Sequence, residues 1–337
     1  MKLYVVILCY RVPELTIDCL RSLAPEIGRV PGMKVGVCEN GTGPEAAEMI
    51  RRAIEENGWG PWCELTAISP NRGFCGGNNI LIREALEWAD PPEYVYLLNA
   101  DTIVQPRALE ILVDFMDHHP RAGIAGGRFL SPEGEVQCSP FRFHSIASEL
   151  DRGLRLGPVS RLLARSAVVP PPPSSDCQAD WVSGAGMMLR RSMLDEIGLL
   201  DEGLYTYFDD ADICMRARRA GWEVWHVPES RIVHLEGAST GVVARVQKRR
   251  PAYWFQARRR YYLKHHGPFY AAAADAAFLT GFALWRLRRW ASRRPDTDPP
   301  HYLRDSFRHS VFGAGFQVEE VQNPALVEQP LPAETFA

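Results

Sequence analysis

The sequence is short of the signatures that mark several common protein classes. None of its eight cysteines (9, 19, 38, 63, 75, 138, 177 and 214) belongs to a C-x-x-C pair. Their apolar surroundings read as buried thiols of a reducing compartment, which argues against a disulfide or zinc framework. The net charge is only −3, so the basic surface of a nucleic-acid binder is missing and no nucleic-acid partner is expected. The glycine-rich stretch Asn71 to Asn79 fits neither G-x-G-x-x-G nor the P-loop, which disfavours a dehydrogenase or an ATPase. The apolar run near Met1 is too short for a signal peptide and has no small-residue cleavage site, so a first strand and a cytosolic active part are expected. Phe269 to Trp285 is marginal against the ~17–25 apolar residues a bilayer span needs, and Asp275 interrupts it. There is no internal repeat.

What is present suffices for a large core. At 337 residues and 46% hydrophobic, the chain suits one large domain with an appendage, or two small ones. Leu3 to Cys9 is a continuous apolar, β-branched run, as expected of a strand buried on both faces of a parallel sheet. Pro13-Glu14 opens a helical pattern with Leu15, Cys19, Leu20 and Leu23 on one side. Further strands are expected at Val35 to Cys38, Glu64 to Ile68 and Tyr94 to Leu98, with helices over Glu45 to Asn57 and Ile80 to Trp88. This alternation predicts a doubly wound, mostly parallel α/β sheet whose ligands bind beyond the carboxyl ends of the strands. The clusters Glu39-Asn40-Gly41-Thr42, Asn71 to Asn79 and Asn99-Ala100-Asp101 all fall at such ends.

Gly153 to Asp176, with its Pro170 to Pro173 run, reads as a loop crossing the surface. Order resumes at Trp181-Val-Ser-Gly-Ala-Gly-Met-Met-Leu-Arg, expected as one strand whose glycines permit close backbone approach. Arg245 to Lys264 is basic and interleaved with aromatics. From about Pro295 the chain is Pro-, Glu- and Gln-rich and is expected to be weakly ordered. The organisation expected is residues 1–240 as the catalytic domain, with halves at about 1–102 and 103–240. Residues 241–294 follow as a basic helical appendage and 295–337 as a tail.

The chemistry concentrates in two acidic sites. Tyr94-Val-Tyr-Leu-Leu-Asn-Ala-Asp101 is an apolar run ending in Asn99 and Asp101, where carboxylate oxygen suits a hard divalent cation shared with substrate phosphates. Asp209, Asp210 and Asp212 open a basic amphipathic helix that stops at Gly221. Such a pair of sites suits an enzyme holding a metal-bound diphosphate opposite a general base. His234 follows a short expected strand. A packed histidine, a turn aspartate and a tight strand-to-helix connection are the ordinary alternatives for His234, Asp101 and Asn71 to Asn79.

Taken together, the ordered blocks Val5 to Glu14, Glu39 to Thr42, Asn71 to Asn79, Tyr94 to Asp101, Trp181 to Gly198 and Asp201 to His234 resemble family 2 glycosyltransferases of the GT-A type. The likeness is closest to the bacterial rhamnosyltransferase-like branch and covers roughly residues 3 to 290. Its most specific parts are Gly184-Ala-Gly-Met-Met-Leu-Arg-Arg, Ile197-Gly-Leu-Leu-Asp-Glu and Phe208-Asp-Asp-Ala-Asp-Ile-Cys-Met-Arg.

The resemblance implies that Cys9, Tyr10 and Glu14 wall the nucleotide and that Glu39, beside Asn40, reads the base. Asn71, Arg72, Gly76 and Asn78 contribute to the nucleotide-sugar pocket. Asp101 ligates Mg2+ or Mn2+ with Asn99 and Ala100 nearby, and His234 matches an additional metal ligand. Trp181 lines the acceptor side, Asp210 matches the catalytic base, and Asp209 binds acceptor or orients that base. Arg11, Glu39 and Asn99 stand where the family frequently has Asn, Asp and Asp, which blurs the identity of the base and sugar.

The implied activity is inverting, metal-dependent transfer from a dTDP- or UDP-linked sugar to a glycan or lipid-linked acceptor in bacterial surface polysaccharide synthesis. Two alternatives are a silent sugar-nucleotide-binding scaffold and a metal-dependent nucleotidyltransferase. For the appendage, the arginines after Trp285 suggest an interfacial helix in peripheral contact with the cytoplasmic face of a membrane. Packing of that helix on the catalytic domain is the alternative.

Overall fold

Leu3 to Cys9 has no charged side chain to turn toward water, and its alternation divides the core in two. Leu3, Val5, Ile7 and Cys9 enter one apolar cluster, while Tyr4 and Val6 enter the other. In the computed structural model, which describes residues 1–235 and 248–321, this strand lies inside a 10-stranded sheet.

The strands are β1 (Leu3–Cys9), β2 (Met33–Asn40), β3 (Cys63–Ile68), β4 (Tyr94–Asn99), β5 (Thr102–Val104) and β6 (Ala122–Leu130). They continue with β7 (Val136–Gln137), β8 (Pro140–Phe141), β9 (Cys177–Gln178), β10 (Trp181–Val182), β11 (Gly186–Arg190) and β12 (Glu223–His234). The helices are α1 (Pro13–Leu23), α2 (Pro44–Glu56), α3 (Gly73–Leu86), α4 (Ala108–His118), α5 (Ile146–Leu154) and α6 (Gly157–Leu162). After them come α7 (Arg191–Ile197), α8 (Asp209–Arg219), α9 (Ala252–Ala291), α10 (Tyr302–Arg308) and α11 (Val311–Ala314).

The main sheet runs β3-β2-β1-β4-β11-β6-β12-β5, with β7 on β6 and β9 on β12; β8 and β10 pair separately. Strands β1 to β4 are parallel, as the apolar runs and crossover helices predict. The fold is mixed α/β all the same, because β11 enters antiparallel between β4 and β6. That insertion places the start of β11 at the same edge as the carboxyl ends of β1 to β4.

Several expectations need correction. Helix α3 begins at Gly73, so the glycine-rich stretch is mostly helix. Its glycines leave room for neighbours that would collide with a Cβ, among them Tyr205 against Gly73. Trp181 to Arg190 is not one strand: a turn at 183–185 separates β10 from β11. The surface crossing at 153–176 contains α6, and the stretch beyond Pro295 forms α10 and α11 before the described residues end.

Helix α9 spans 40 residues as two helical arms broken at Gly267, whose φ of 79° is not helical, just ahead of Pro268. Its second arm packs on α5, where Gly281 meets Gly153 and the backbones approach closely. Asp275 is not at an interface with solvent; it is buried in an ion pair with Arg258 of the first arm. Arg258 also bonds Glu149 of α5 at 2.8 Å. One face of the appendage is therefore packed on the catalytic fold. Among the described residues, no helix is long and apolar enough to cross a membrane.

Candidate active site

The carboxyl ends of the parallel strands collect the polar residues. Beside them, the pairing of β5 with β12 sets His234 opposite Thr102, next to Asp101. His234 Nε2 lies 3.4 Å from Asp101 Oδ1, and Asp101 is 3% exposed. The Leu235 N–H donates to the Asp101 carbonyl at 2.9 Å, pinning the two chain segments together. An aspartate oxygen beside an imidazole nitrogen is a donor set that a divalent cation accepts. Such ions routinely complete their shell with substrate phosphate and water. Among the described residues no group of three or more His, Cys, Asp and Glu gathers as a metal site, so a diphosphate would have to supply further ligands.

The second acidic site sits at the start of α8. Phe208 caps that helix in the left-handed region (φ 61°), and Tyr205 and Tyr207 also have positive φ. Three bulky residues in this strained conformation need support from their surroundings. Tyr253 of α9 provides it, stacking on Tyr207 and meeting Tyr205 edge-on. Asp209, 6% exposed, has its carboxyl pushed well above the usual range by burial and by the charge of Asp210. Burial also raises Asp210, to about 6, against the Ala211 N–H, which donates to its carboxylate at 2.8 Å and favours the ionised form.

Gly184 belongs to the turn between β10 and β11, and its neighbour Ala185 accepts from the Asn99 N–H at 3.0 Å. A single turn thus bonds the strand end carrying Asn99-Ala100-Asp101 and, through Gly184, lies against Asp210, a Cβ at Gly184 falling 3.8 Å from the Asp210 Cβ. Ala100 itself is buried.

Other residues expected at the site have structural duties. The Cys9 side chain points into the core and burial raises its thiol, so only its backbone is available to a ligand. Asn40 is engaged on all sides: its amide donates to Asn71 Oδ1 (3.1 Å) and the Gly73 carbonyl (3.0 Å), and it accepts from the Arg72 N–H (2.9 Å). Asn71 Oδ1 also accepts from the Gly73 N–H and the Tyr205 hydroxyl. Asn78 turns back onto the Phe74 carbonyl of its own helix, and Gly76 is buried within that helix. These asparagines build the wall that a ligand would meet. The amides of Asn40 and Asn78 are committed to these bonds.

Glu39 is buried and accepts from the Thr42 N–H at 2.6 Å. Glu14 and Arg72 are exposed, and Tyr10 is half-buried with the Arg11 guanidinium over its ring. Trp181 stacks on Phe141 at 4.2 Å and donates its indole N–H to the Arg142 carbonyl, so a ligand could meet only its ring.

Sequence reasoning missed Asp212 as a positioning residue. It is fully buried, with His265 Nε2 and Lys264 Nζ each 2.6 Å from its Oδ1 and Arg216 bonding its other oxygen at 2.9 Å. Burial alone would raise this carboxyl; the His265 bond and the charges of Arg216 and Lys264 outweigh it and hold the group well below the usual range. The motif carried the signal, since a third acid four residues before an arginine forms an i,i+4 pair. Tyr205 was also missed, and only its contacts with Asn71, Gly73 and Tyr253 mark it.

Residues 2–262 match the model of the glycosyltransferase like family 2. The chain belongs to this family. Among curated relatives, an N-acetylglucosaminyl-diphospho-decaprenol L-rhamnosyltransferase of Mycobacterium tuberculosis is 28% identical over 46% of this chain and 50% of its own. Rhamnosyltransferase WbbL of Escherichia coli is 24% identical over 48% and 60%. The matched region thus spans about half the length of these relatives. In fold, this family member is similar to a mannosyltransferase from Pyrobaculum calidifontis in complex with GDP-Man and Mn2+. The TM-score is 0.52 and the identity 15%, over 86% of this chain and 75% of that one. GalNAc-T7 with UDP, GalNAc and Mn2+ aligns with a TM-score of 0.57 at 14% identity, over 87% and 54%. The GT-A-like fold expected from the sequence is the fold found.

Proposed function

We propose that this protein is an inverting, metal-dependent glycosyltransferase. It would move a sugar from a nucleoside diphosphate, dTDP- or UDP-linked, to a hydroxyl of a glycan or lipid-linked acceptor in bacterial surface polysaccharide synthesis. The observation that carries the reading is the 183–185 turn, whose Ala185 carbonyl accepts from the Asn99 N–H and whose Gly184 lies against Asp210, a Cβ built there falling 3.8 Å from the Asp210 Cβ. That contact supports reading Asp210 as a base that works near the strand end bearing Asp101 and His234. The rhamnosyltransferase relatives favour a deoxyhexosyl or hexosyl donor.

Asp101 and His234 would hold Mg2+ or Mn2+, which stabilises negative charge on a leaving diphosphate. Asp210 takes the proton of the acceptor hydroxyl. The hydroxyl oxygen bonds to the anomeric carbon from the face opposite the diphosphate, and the carbon–oxygen bond to the diphosphate breaks with its electron pair. Configuration inverts in one displacement. Burial of Asp210 favours the task, since a base works best with a pKa raised toward the operating pH. Asp209, neutral while its neighbour is charged, can donate a hydrogen bond to acceptor or base. The ring of Trp181 offers an apolar wall for a sugar. A lipid-linked acceptor would bring the protein to the cytoplasmic face of a membrane as a peripheral partner.

The test is Asp210→Asn. Turnover should fall by about 10²–10⁴-fold while donor affinity stays nearly unchanged. Wild-type turnover in that variant would refute the assignment of the base.

A further inference from the structure

The second arm of α9 has two apolar faces, and the fold uses one. Ala274, Phe278 and Phe282 are buried on the inner side, whose glycine approaches α5. On the outer side Ala276, Leu279, Ala283, Leu284 and Leu287 recur at helical spacing and line a groove of about 1090 Å³. Its opposite wall is Leu303, Phe307 and Phe312 of α10 and α11. The stripe runs on to Trp290, 76% exposed, and Leu287 is 61% exposed. Exposed large side chains gathered this densely mark a contact surface.

Charge identifies what covers it. The nearby acids are neutralised internally: Asp296 pairs with Arg289, and Asp298 lies 2.7 Å from Arg155. Arg286 and Arg304 line the groove. The exposed Arg293 and Arg294 follow Trp290 in the chain, and the exposed Arg308 lies one helical turn beyond Arg304. None of these five has an ion pair within 4.0 Å among the described residues. Apolar and tryptophan side chains rimmed by uncompensated guanidinium groups match the layering of an anionic bilayer, hydrocarbon beneath phosphate. Helix α9 lies too firmly in the fold, and is too polar, to span.

We propose that the groove between the second arm of α9 and α10–α11 docks on an anionic phospholipid surface. Leu284, Leu287, Trp290, Phe307 and Phe312 enter the interfacial layer, and the surrounding arginines meet headgroup phosphates. The surface deepens the peripheral-membrane part of the proposed function and rests on it only for context, because docking needs no sugar transfer.

The experiment is flotation of the full chain with vesicles of phosphatidylcholine, alone or mixed with phosphatidylglycerol. Wild type should partition at least about tenfold better into the phosphatidylglycerol vesicles. Leu287→Glu with Trp290→Glu should lower that partitioning roughly tenfold. Arg293→Glu with Arg294→Glu should reduce it toward the phosphatidylcholine level and remove its salt sensitivity. Phe269→Glu, at the exposed kink outside the groove, should leave binding unchanged. Undiminished binding by both double variants, equal binding to the two vesicle types, or loss with Phe269→Glu would overturn the proposal. So would a concentration-dependent dimer that Leu287→Glu with Trp290→Glu dissolves while vesicles stay empty. Because no arm measures turnover, failure here leaves the transfer reading standing, and failure of Asp210→Asn leaves the docking surface standing.

Discussion

His234 Nε2 stands 3.4 Å from Asp101 Oδ1, although the two residues lie in different thirds of the chain. The pairing of β12 with β5 makes the contact, and an acid–imidazole pair at a strand edge is usable by a cation. With Mn2+ and a nucleoside diphosphate at 100 times the dissociation constant, the protein should gain about 2.7 kcal/mol of stability. Asp101→Ala should erase most of the Mn2+-dependent part of that gain, and His234→Ala a smaller share, in thermal-shift measurements. Full shifts in both variants would remove the pair from any metal site.

The paired acids of α8 make opposite demands on pH. A base must be deprotonated, so kcat/KM should climb as pH rises through about 6 and then level off, the rise being absent in Asp210→Asn. Stability runs the other way. Carboxyls raised by folding contribute most while protonated, below the ordinary value of about 3.9, and that contribution is lost as pH rises through the raised values. Near neutral pH, Asp209→Asn and Asp210→Asn should each therefore gain on the order of 1–3 kcal/mol in urea unfolding. A variant that loses activity and stability together would assign these acids a structural role.

Asp212 should behave as their mirror image. Its lowered carboxyl supplies stability that is present above the ordinary carboxylate range and is lost as pH falls through the depressed value. Glu149 adds to the same window: burial would raise it, but the charges of Arg152 and Arg258 bring it down to about 2. Asp212→Ala strands His265, Lys264 and Arg216 without their acid and should cost about 3–5 kcal/mol. It should also move acid unfolding, followed by circular dichroism, to a higher pH. An unchanged acid midpoint would contradict the pairing.

Gly73 has φ 72°, and a Cβ there would fall 2.5 Å from the Tyr205 carbonyl oxygen. Gly73→Ala should destabilise the fold by about 1–3 kcal/mol. Because the same turn carries Asn71, the KM for a sugar nucleotide should rise more than kcat falls. Wild-type stability in this variant would mean that the 205–208 segment yields easily.

The strands and helices read most directly from the sequence were those with one unambiguous pattern. Leu3 to Cys9 is apolar throughout, and Asp209 to Arg219 passes from acids to bases along a helical stripe. What was illegible depended on partners distant in sequence. The glycines of 73–77 look like a turn, yet they form helix because Tyr205 and Leu8 fill the space that side chains would occupy. The hydrogen bonds that tie Asn40 to Gly73 and Asn78 to Phe74 depend on the folded backbone and have no sequence signal. Tyr302 and Leu303 sit in a composition typical of disorder, and α10 forms because Phe255, Phe278 and Phe282 offer it a surface. Asp101 and Asp210 could be proposed from the sequence as acids of one site, but the 183–185 turn lying between Asn99 and Asp210 could not be read from it.

That turn has a consequence for how the protein can change. Gly186 stands opposite Leu98 in an antiparallel ladder, the Ala185 carbonyl holds Asn99, and Gly184 lies against Asp210. The interval between candidate base and candidate cation is thus dictated by the peptide framework, which every amino acid shares. Side chains around the site can be exchanged, and substrate preference can drift with them, without resetting that interval. A single-residue insertion or deletion between 182 and 186 is the change this architecture would not absorb.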